Sequence, residues 1–248
     1  GSRTKAVENP DGSWTIEGSK IFITNGTNEL TDGIIVQAVS ARSPEGTPEF
    51  TCLIVEKGTP GFTSKRMHKK LMWRASDTAE LYFSGVKVPA SAMLGKRGAG
   101  SRQMLKTLDS GRLSIAAMGL GCAQGAYEAA LEYSRNRHQF GKPLSRFQAI
   151  AFKLADMAVR IEHARTFLYR ACWLRDTGKP FGTESAMAKL YCSETAQWVA
   201  NEAVQIHGGY GLMKEFPVER FYRDQRLLQI GEGTSEIQRL VISRAIGC

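Results

Sequence analysis

Hydrophobic positions change their period once along this chain. Up to about Leu94 the apolar residues come in short runs cut by turn residues. "TAELYFSGVKVP" (78–89) alternates apolar and polar positions until Pro89 stops it, the signature of a half-buried strand. "SWTIEGSKIFITNG" (13–26) reads as two short strands about Gly18 and Ser19, closed by the turn pair Asn25 and Gly26. "DGIIVQAVSA" (32–41) and "FTCLIVEKG" (50–58) add two further β runs. Short strands at this spacing predict an antiparallel barrel or sandwich.

After "GKRGAG" (95–100) the period becomes helical. Met104, Leu108, Ile115, Met118, Cys122, Ala126, Ala129 and Tyr133 form one long stripe. A second stripe runs from Ile150 to Leu168 and meets stop signals at Gly178 and Pro180; a third runs from Ala186 to Ile206 and stops at Gly208 and Gly209. Pro217 opens a short helix toward Arg223, and a last helix follows Thr234. The fold class is therefore α+β: a small antiparallel β-barrel or sandwich domain over 1–94, then an antiparallel helical bundle over 95–248. The small residues between Ala116 and Gly125 allow close helix contacts, which is packing and not chemistry.

Composition narrows the function classes. With 248 residues and 42% hydrophobic content the chain can build real cores, and no apolar run is long enough for a transmembrane helix. Its five cysteines are scattered without a CxxC pair, which points to a reducing interior and away from metals and disulfides. His68, His138, His163 and His207 show no ligand spacing, no Ser-His-Asp arrangement can be argued, and no GxGxxG follows a strand. A net charge of +9 suits a phosphate-bearing ligand or nucleic acid. The positive residues are sprinkled through amphipathic segments without forming a block, which favours the small ligand.

Four stretches could carry chemistry. In "QIGEGTSEIQRL" (229–240), Glu232 stands between two glycines ahead of a helix: either a solvated loop residue or a carboxylate brought close to something bound. "RNRHQFGKPLSRFQAI" (135–150) gathers Arg137, Gln139, Phe140 and Gln148 around a tight turn, a possible phosphate cradle, although helix C-termini attract basic residues anyway. In "AVQIHGGYG" (203–211), Gln205 precedes a glycine pair that serves equally as a C-cap or as an opening for a ligand. Asp109 and Arg112 in "LDSGRLSIAA" share a helix face and could simply pair.

Taken singly, each stretch has a bland reading that wins. In their order, "KIFITNG", "DSGR", "RHQFGKPLSRFQAIAFKLADM", "AVQIHGGYGLMKEFPVERFYRD" and "IGEGTSEIQRLVISR" resemble the acyl-CoA dehydrogenases over essentially the whole chain. The resemblance implies a middle β domain over 1–94 and a C-terminal flavin-binding bundle over 95–248. It implies bound FAD, a homodimer or homotetramer, and electron-transfer flavoprotein as acceptor. Glu232 falls on the family's base, which takes the α-proton of an acyl-CoA while a hydride leaves the β-carbon for flavin N5, giving a trans-2-enoyl-CoA. Such a proton is too weakly acidic for an aqueous carboxylate. The base needs desolvation that raises its pKa towards neutrality, against the opposing pull of the following helix N-terminus.

By the same resemblance, Phe22 and Thr24 lie beside the flavin ring, and Thr234 and Glu236 contact the cofactor. Arg137, Gln139, Phe140, Gln148, Gln205 and Gly209 hold its adenosine diphosphate half, largely from the neighbouring subunit. Asp109 and Arg112 lie near coenzyme A, with Gly231 and Gly233 lining the pocket beside the base. Some relatives place the base at the position of Gly111, and many carry Tyr at 231. The family's N-terminal domain has no counterpart here, and "GS" at 1–2 reads as a cloning scar, so the expectation is a fragment that binds FAD weakly and turns over poorly. The location implied is cytoplasmic, or the mitochondrial matrix in a eukaryote. An acyl-CoA oxidase, a nucleic-acid-binding relative and a purely structural half-subunit are the alternatives.

Overall fold

The structure, a computed structural model, describes residues 3–248; the "GS" pair lies outside the described residues. Two compact units divide the chain, Gly1–Lys106 and Thr107–Cys248.

The first unit is one mixed sheet of seven strands. β1 (Lys5–Glu8), β2 (Trp14–Thr24), β3 (Gly33–Arg42), β4 (Pro48–Glu56), β5 (Phe62–Arg66), β6 (Thr78–Val88) and β7 (Met93–Leu94) stand in the order β5-β6-β2-β1-β3-β4-β7. All pairs are antiparallel except β1 with β3, which run parallel. Within the expected α+β class the sheet is open: β5 and β7 are its edges, and no barrel closes. Alternate residues of the central strands face one core built on Trp14, Ile16, Val36, Leu53, Leu81, Phe83 and Val86.

The stretch expected to form two strands about Gly18 is a single strand, β2, with two register shifts against β6. In the first, Ser84 and Gly85 together oppose Glu17, and the Gly85 amide donates to the Glu17 carboxylate at 2.6 Å. In the second, Ile21 and Phe22 together oppose Glu80, and Phe22 takes a φ of 61°. A bulge adds one residue to one strand and re-aims its side chain. Here it leaves Phe22 68% exposed within an otherwise paired strand. The short strands β1, β5 and β7 carry too few apolar residues to announce themselves in the sequence.

The second unit is helical. α1 (Gly100–Asn136), which begins before the unit boundary, is followed by the hairpin β8 (His138–Gln139) and β9 (Lys142–Pro143). Then come α2 (Gln148–Asp176), α3 (Gly182–His207), α4 (Val218–Asp224) and α5 (Ser235–Ala245). The stripes and stop signals of the sequence locate all five. α2 buries Leu154, Met157, Ile161, Ala164 and Leu168, all of them within the second stripe and on its 3.6-residue period. Small residues on α1 do serve packing: a Cβ at Gly119 would lie 2.9 Å from the Cys192 carbonyl oxygen of α3, and one at Gly125 2.7 Å from the Phe221 ring.

Candidate active site

Glu232 stands in the turn that leads into α5, and its backbone is unusual. Its φ is 54°, in the left-handed region, and Gly233 follows at 89°. An L-residue there costs on the order of 1–2 kcal/mol. The sequence suggests that the flanking glycines supply the freedom, but Gly231 has no positive φ; Glu232 itself carries the strain. The side chain is exposed, yet it turns onto α1. A Cβ built on Gly111 would lie 2.6 Å from Glu232 Oε2, so the carboxylate occupies the space that any side chain at 111 would fill.

Buried polar groups support this turn. Gln238 Nε2 donates to the carbonyls of Glu232 (3.2 Å) and Gly233 (2.9 Å), and Lys189 Nζ of α3 donates to the Gly233 carbonyl at 2.7 Å. Both side chains are fully buried. Arg112 is buried one residue beyond Gly111; its Nη1 donates to Asp109 Oδ1 at 2.8 Å, while its Nε has no acceptor. The bland pairing of Asp109 with Arg112 is therefore realised, with one guanidinium nitrogen left over. Lys189 and Gln238 were not singled out from the sequence, where a lysine and a glutamine on helical stripes look like surface residues.

Four of the predicted cofactor residues come together elsewhere. Arg137, Gln139, Gln205 and Gly209 line a cavity of about 500 Å³ with Tyr133 and His207. Arg137 lies over the Tyr210 ring, 5.4 Å from its centroid. His207 stacks on Tyr133 at 4.2 Å, and burial holds its pKa below the usual histidine value. Phe140 and Gly141 form the two-residue loop of the β8–β9 hairpin with φ of 51° and 80°, the positive pair that a tight hairpin with matching twist demands. This leaves Phe140 93% exposed, edge-on to Phe147. Gln148 is the first residue of α2, exposed, and does not line the cavity.

Thr234 and Glu236 are separate again. Thr234 caps α5, its Oγ1 accepting from the Ile237 amide at 3.3 Å, and both residues line a cavity of about 290 Å³ with Arg226 and Arg239. Glu236's own backbone amide, then the Thr234 hydroxyl, hold its carboxyl below the usual range. Phe22 and Thr24 belong to β2 of the first unit and are exposed there. Among the described residues no group of three or more His, Cys, Asp or Glu could hold a metal, and no helix is long and apolar enough to cross a membrane.

Among the described residues five non-glycines have positive φ, and three of them are Phe22, Phe140 and Glu232. Backbone strain concentrates where side chains are held for a ligand or a reaction. An α+β chain with a strained carboxylate over a glycine, and a basic cavity beside a glycine pair, has the makings of an enzyme with a carboxylate base and an anion site.

Comparison with known proteins takes the second step. The profile "Acyl-CoA dehydrogenase, C-terminal domain" matches residues 98–247 and "Acyl-CoA dehydrogenase, middle domain" residues 1–86. The chain belongs to the acyl-CoA dehydrogenase family, a family of oxidoreductases. It is 49% identical to a probable acyl-CoA dehydrogenase (YngJ) of Bacillus subtilis, over 99% of this chain and 64% of that protein. Butyryl-CoA dehydrogenase from Megasphaera elsdenii superposes with a TM-score of 0.95 at 48% identity, covering 99% of this chain and 63% of that one. A chain of the Acidaminococcus fermentans structure concerned with electron transferring flavoprotein and electron bifurcation gives a TM-score of 0.93 at 43% identity, covering 99% and 64%. The chain thus spans less than two thirds of the length of these relatives.

Proposed function

We propose that this chain supplies the base and part of the cofactor site of an FAD-dependent dehydrogenase of short-chain acyl-CoA thioesters, forming trans-2-enoyl-CoA. The observation that carries the reading is the Glu232 carboxylate, on a left-handed residue, filling the space over Gly111. Likeness to butyryl-CoA dehydrogenase supports the short chain.

The residues present fit the flavin. Arg137 makes no ion pair among the described residues, two amides stand beside it, and a Cβ at Gly208 or Gly209 would meet nothing within 4 Å. A guanidinium, amide donors and open backbone are what a diphosphate requires. Arg137, Gln139, Phe140, Gln148, Gln205 and Gly209 would hold the adenosine diphosphate half, with Phe22, Thr24, Thr234 and Glu236 at the remainder. When bound, FAD supplies the two-electron acceptor for the hydride that leaves the β-carbon.

The chain's own residues do the rest. A carboxylate oxygen of Glu232 accepts the α-proton. Asp109 and Arg112 orient the coenzyme A side, with Arg112 Nε free to donate. Gly231 leaves room beside Glu232, Gly233 supplies the positive φ and the close contact with Gln238 that the turn needs, and the acyl chain excludes water from the carboxylate when it binds. No residue lining the Arg137 cavity touches Glu232 in the contacts described, which suits a cofactor shared between the subunits of a homodimer or homotetramer. Electron-transfer flavoprotein as acceptor is supported by the Acidaminococcus likeness.

The direct test is anaerobic titration of the flavin-loaded holoenzyme with a panel of acyl-CoAs. Bleaching of the flavin with four-carbon thioesters is expected; no bleaching with any acyl-CoA would overturn the reading. Pocket shape gives a second expectation. A Cβ at Gly231 would meet Leu227 at ordinary contact distances of 3.5–3.8 Å, and its φ is not positive, so the backbone there accepts a side chain. Gly231→Tyr is expected to cut kcat/KM for branched thioesters by roughly ten-fold relative to straight ones, the scale of one lost apolar fit. An unchanged branched-to-straight ratio would show that residue 231 does not shape the pocket.

A further inference from the structure

Beneath the Glu232 turn lies a cation that the chemistry above leaves unused. Lys189 is wholly buried on α3, and among the described residues no carboxylate forms an ion pair with it. Its only hydrogen bond among those described runs from Nζ to the Gly233 carbonyl, at 2.7 Å. Burying an ammonium without a close counter-charge costs several kcal/mol. A leucine or methionine would fill the same space without that penalty, so the retained cation calls for a purpose.

Its surroundings supply one. Gln238 of α5 reaches the same Gly233 carbonyl and the Glu232 carbonyl before it. Two helices thus grip the two consecutive peptide units that follow the base's Cα. Strained backbone persists only where neighbours over-determine it, and Glu232 is such a residue. Four charged groups act on the ammonium. Arg112 of α1 opposes it, while Glu232 in the turn, Glu236 of α5 and Glu194 of α3 favour it. Burial outweighs them all and pulls the lysine down to about 8. It is therefore still charged across the acid range and able to donate to the Gly233 carbonyl.

We propose that Lys189 is a positioning residue for the base: its ammonium clamps the Gly233 carbonyl and, with Gln238, holds Glu232 over Gly111. This rests on the assignment of Glu232 as the base. Substitutions grade the clamp. Lys189→Met removes it, whereas Lys189→Gln leaves a neutral donor one bond shorter. Gln238→Leu removes only a neutral clamp.

The experiment measures kcat and KM separately at pH 7, on flavin-loaded holoenzyme. For Lys189→Met, kcat is expected to fall roughly 10- to 100-fold with KM within about two-fold, as when a positioned group is displaced. Lys189→Gln, with its shorter donor, should lose less of kcat, and it serves alone if the methionine variant does not retain flavin. Gln238→Leu should lower kcat in the same manner, again with KM within about two-fold. Turnover within two-fold of wild type in Lys189→Met, or in Lys189→Gln where that variant serves alone, would overturn the proposal while leaving the base assignment intact. The base assignment fails separately, if Glu232→Gln still turns over.

Discussion

Glu232→Gln is expected to lower kcat by roughly 10²–10⁴-fold, the usual worth of a positioned general base, with KM for the acyl-CoA within a few-fold. The amide has the carboxylate's shape and can take no proton. Lys189 and Gln238 hold the turn through the carbonyls of residues 232 and 233, so neither contact depends on the side chain that changes. Flavin content and thermal stability should therefore stay at the wild-type level. Single-turnover flavin reduction under anaerobic conditions reads the loss directly, free of any contribution from reoxidation. Reduction at a rate within ten-fold of wild type would remove Glu232 from the chemistry.

The second large effect is expected at a residue with no functional group. Gly111→Ala places a Cβ 2.6 Å from Glu232 Oε2. That atom is the free end of a flexible side chain, so the clash is relieved by swinging the carboxylate away at little conformational cost. Alanine also suits the interior of α1 better than glycine, by roughly 0.5–1 kcal/mol. Stability should hold or rise while kcat falls about 10²-fold, because a shift on the order of 1 Å at a reacting group is worth that much. Opposite signs in the two measurements are the signature. Thermal melts and single-turnover rates on one preparation check them, and a variant that loses both together would point to misfolding instead of displacement.

A side chain leaving α1 at 111 and the carboxylate leaving the turn at 232 reach for one volume, so space there admits a single occupant.

The helices were legible because burial imposes a period. Leu154, Met157, Ile161, Ala164 and Leu168 recur as a buried face must, and Gly178, Gly208 and Pro217 fall at or beside the helix ends. The sheet was less legible. Two bulges break the alternation of β2 and β6, so a single long strand read as two, and β1, with one buried residue, gave no pattern at all. The second of those bulges also turns Phe22 outward, so a feature that blurred the fold is one that shapes a candidate site.

For the site itself, residue type and order pointed to Glu232, Arg137, Gln205 and Gly209, and the last three share a cavity with Gln139. What the sequence could not display is the support. Lys189 and Gln238 lie 43 and 6 positions from Glu232 and meet its turn only after α3 and α5 pack. Nor could it display that Glu232 adopts the strained conformation itself. Glycines on both sides invited the opposite assumption, and only one of them uses its freedom.

Exchange of the substrate's α-hydrogen with deuterated water, followed by mass spectrometry on enzyme-bound thioester, isolates the proton step from everything after it. Wild-type holoenzyme should wash deuterium into that carbon, and the glutamine variant at 232 should leave it protiated over the same interval. Equal incorporation by the two proteins would mean that some other group removes the proton, and the role given to this turn would be lost.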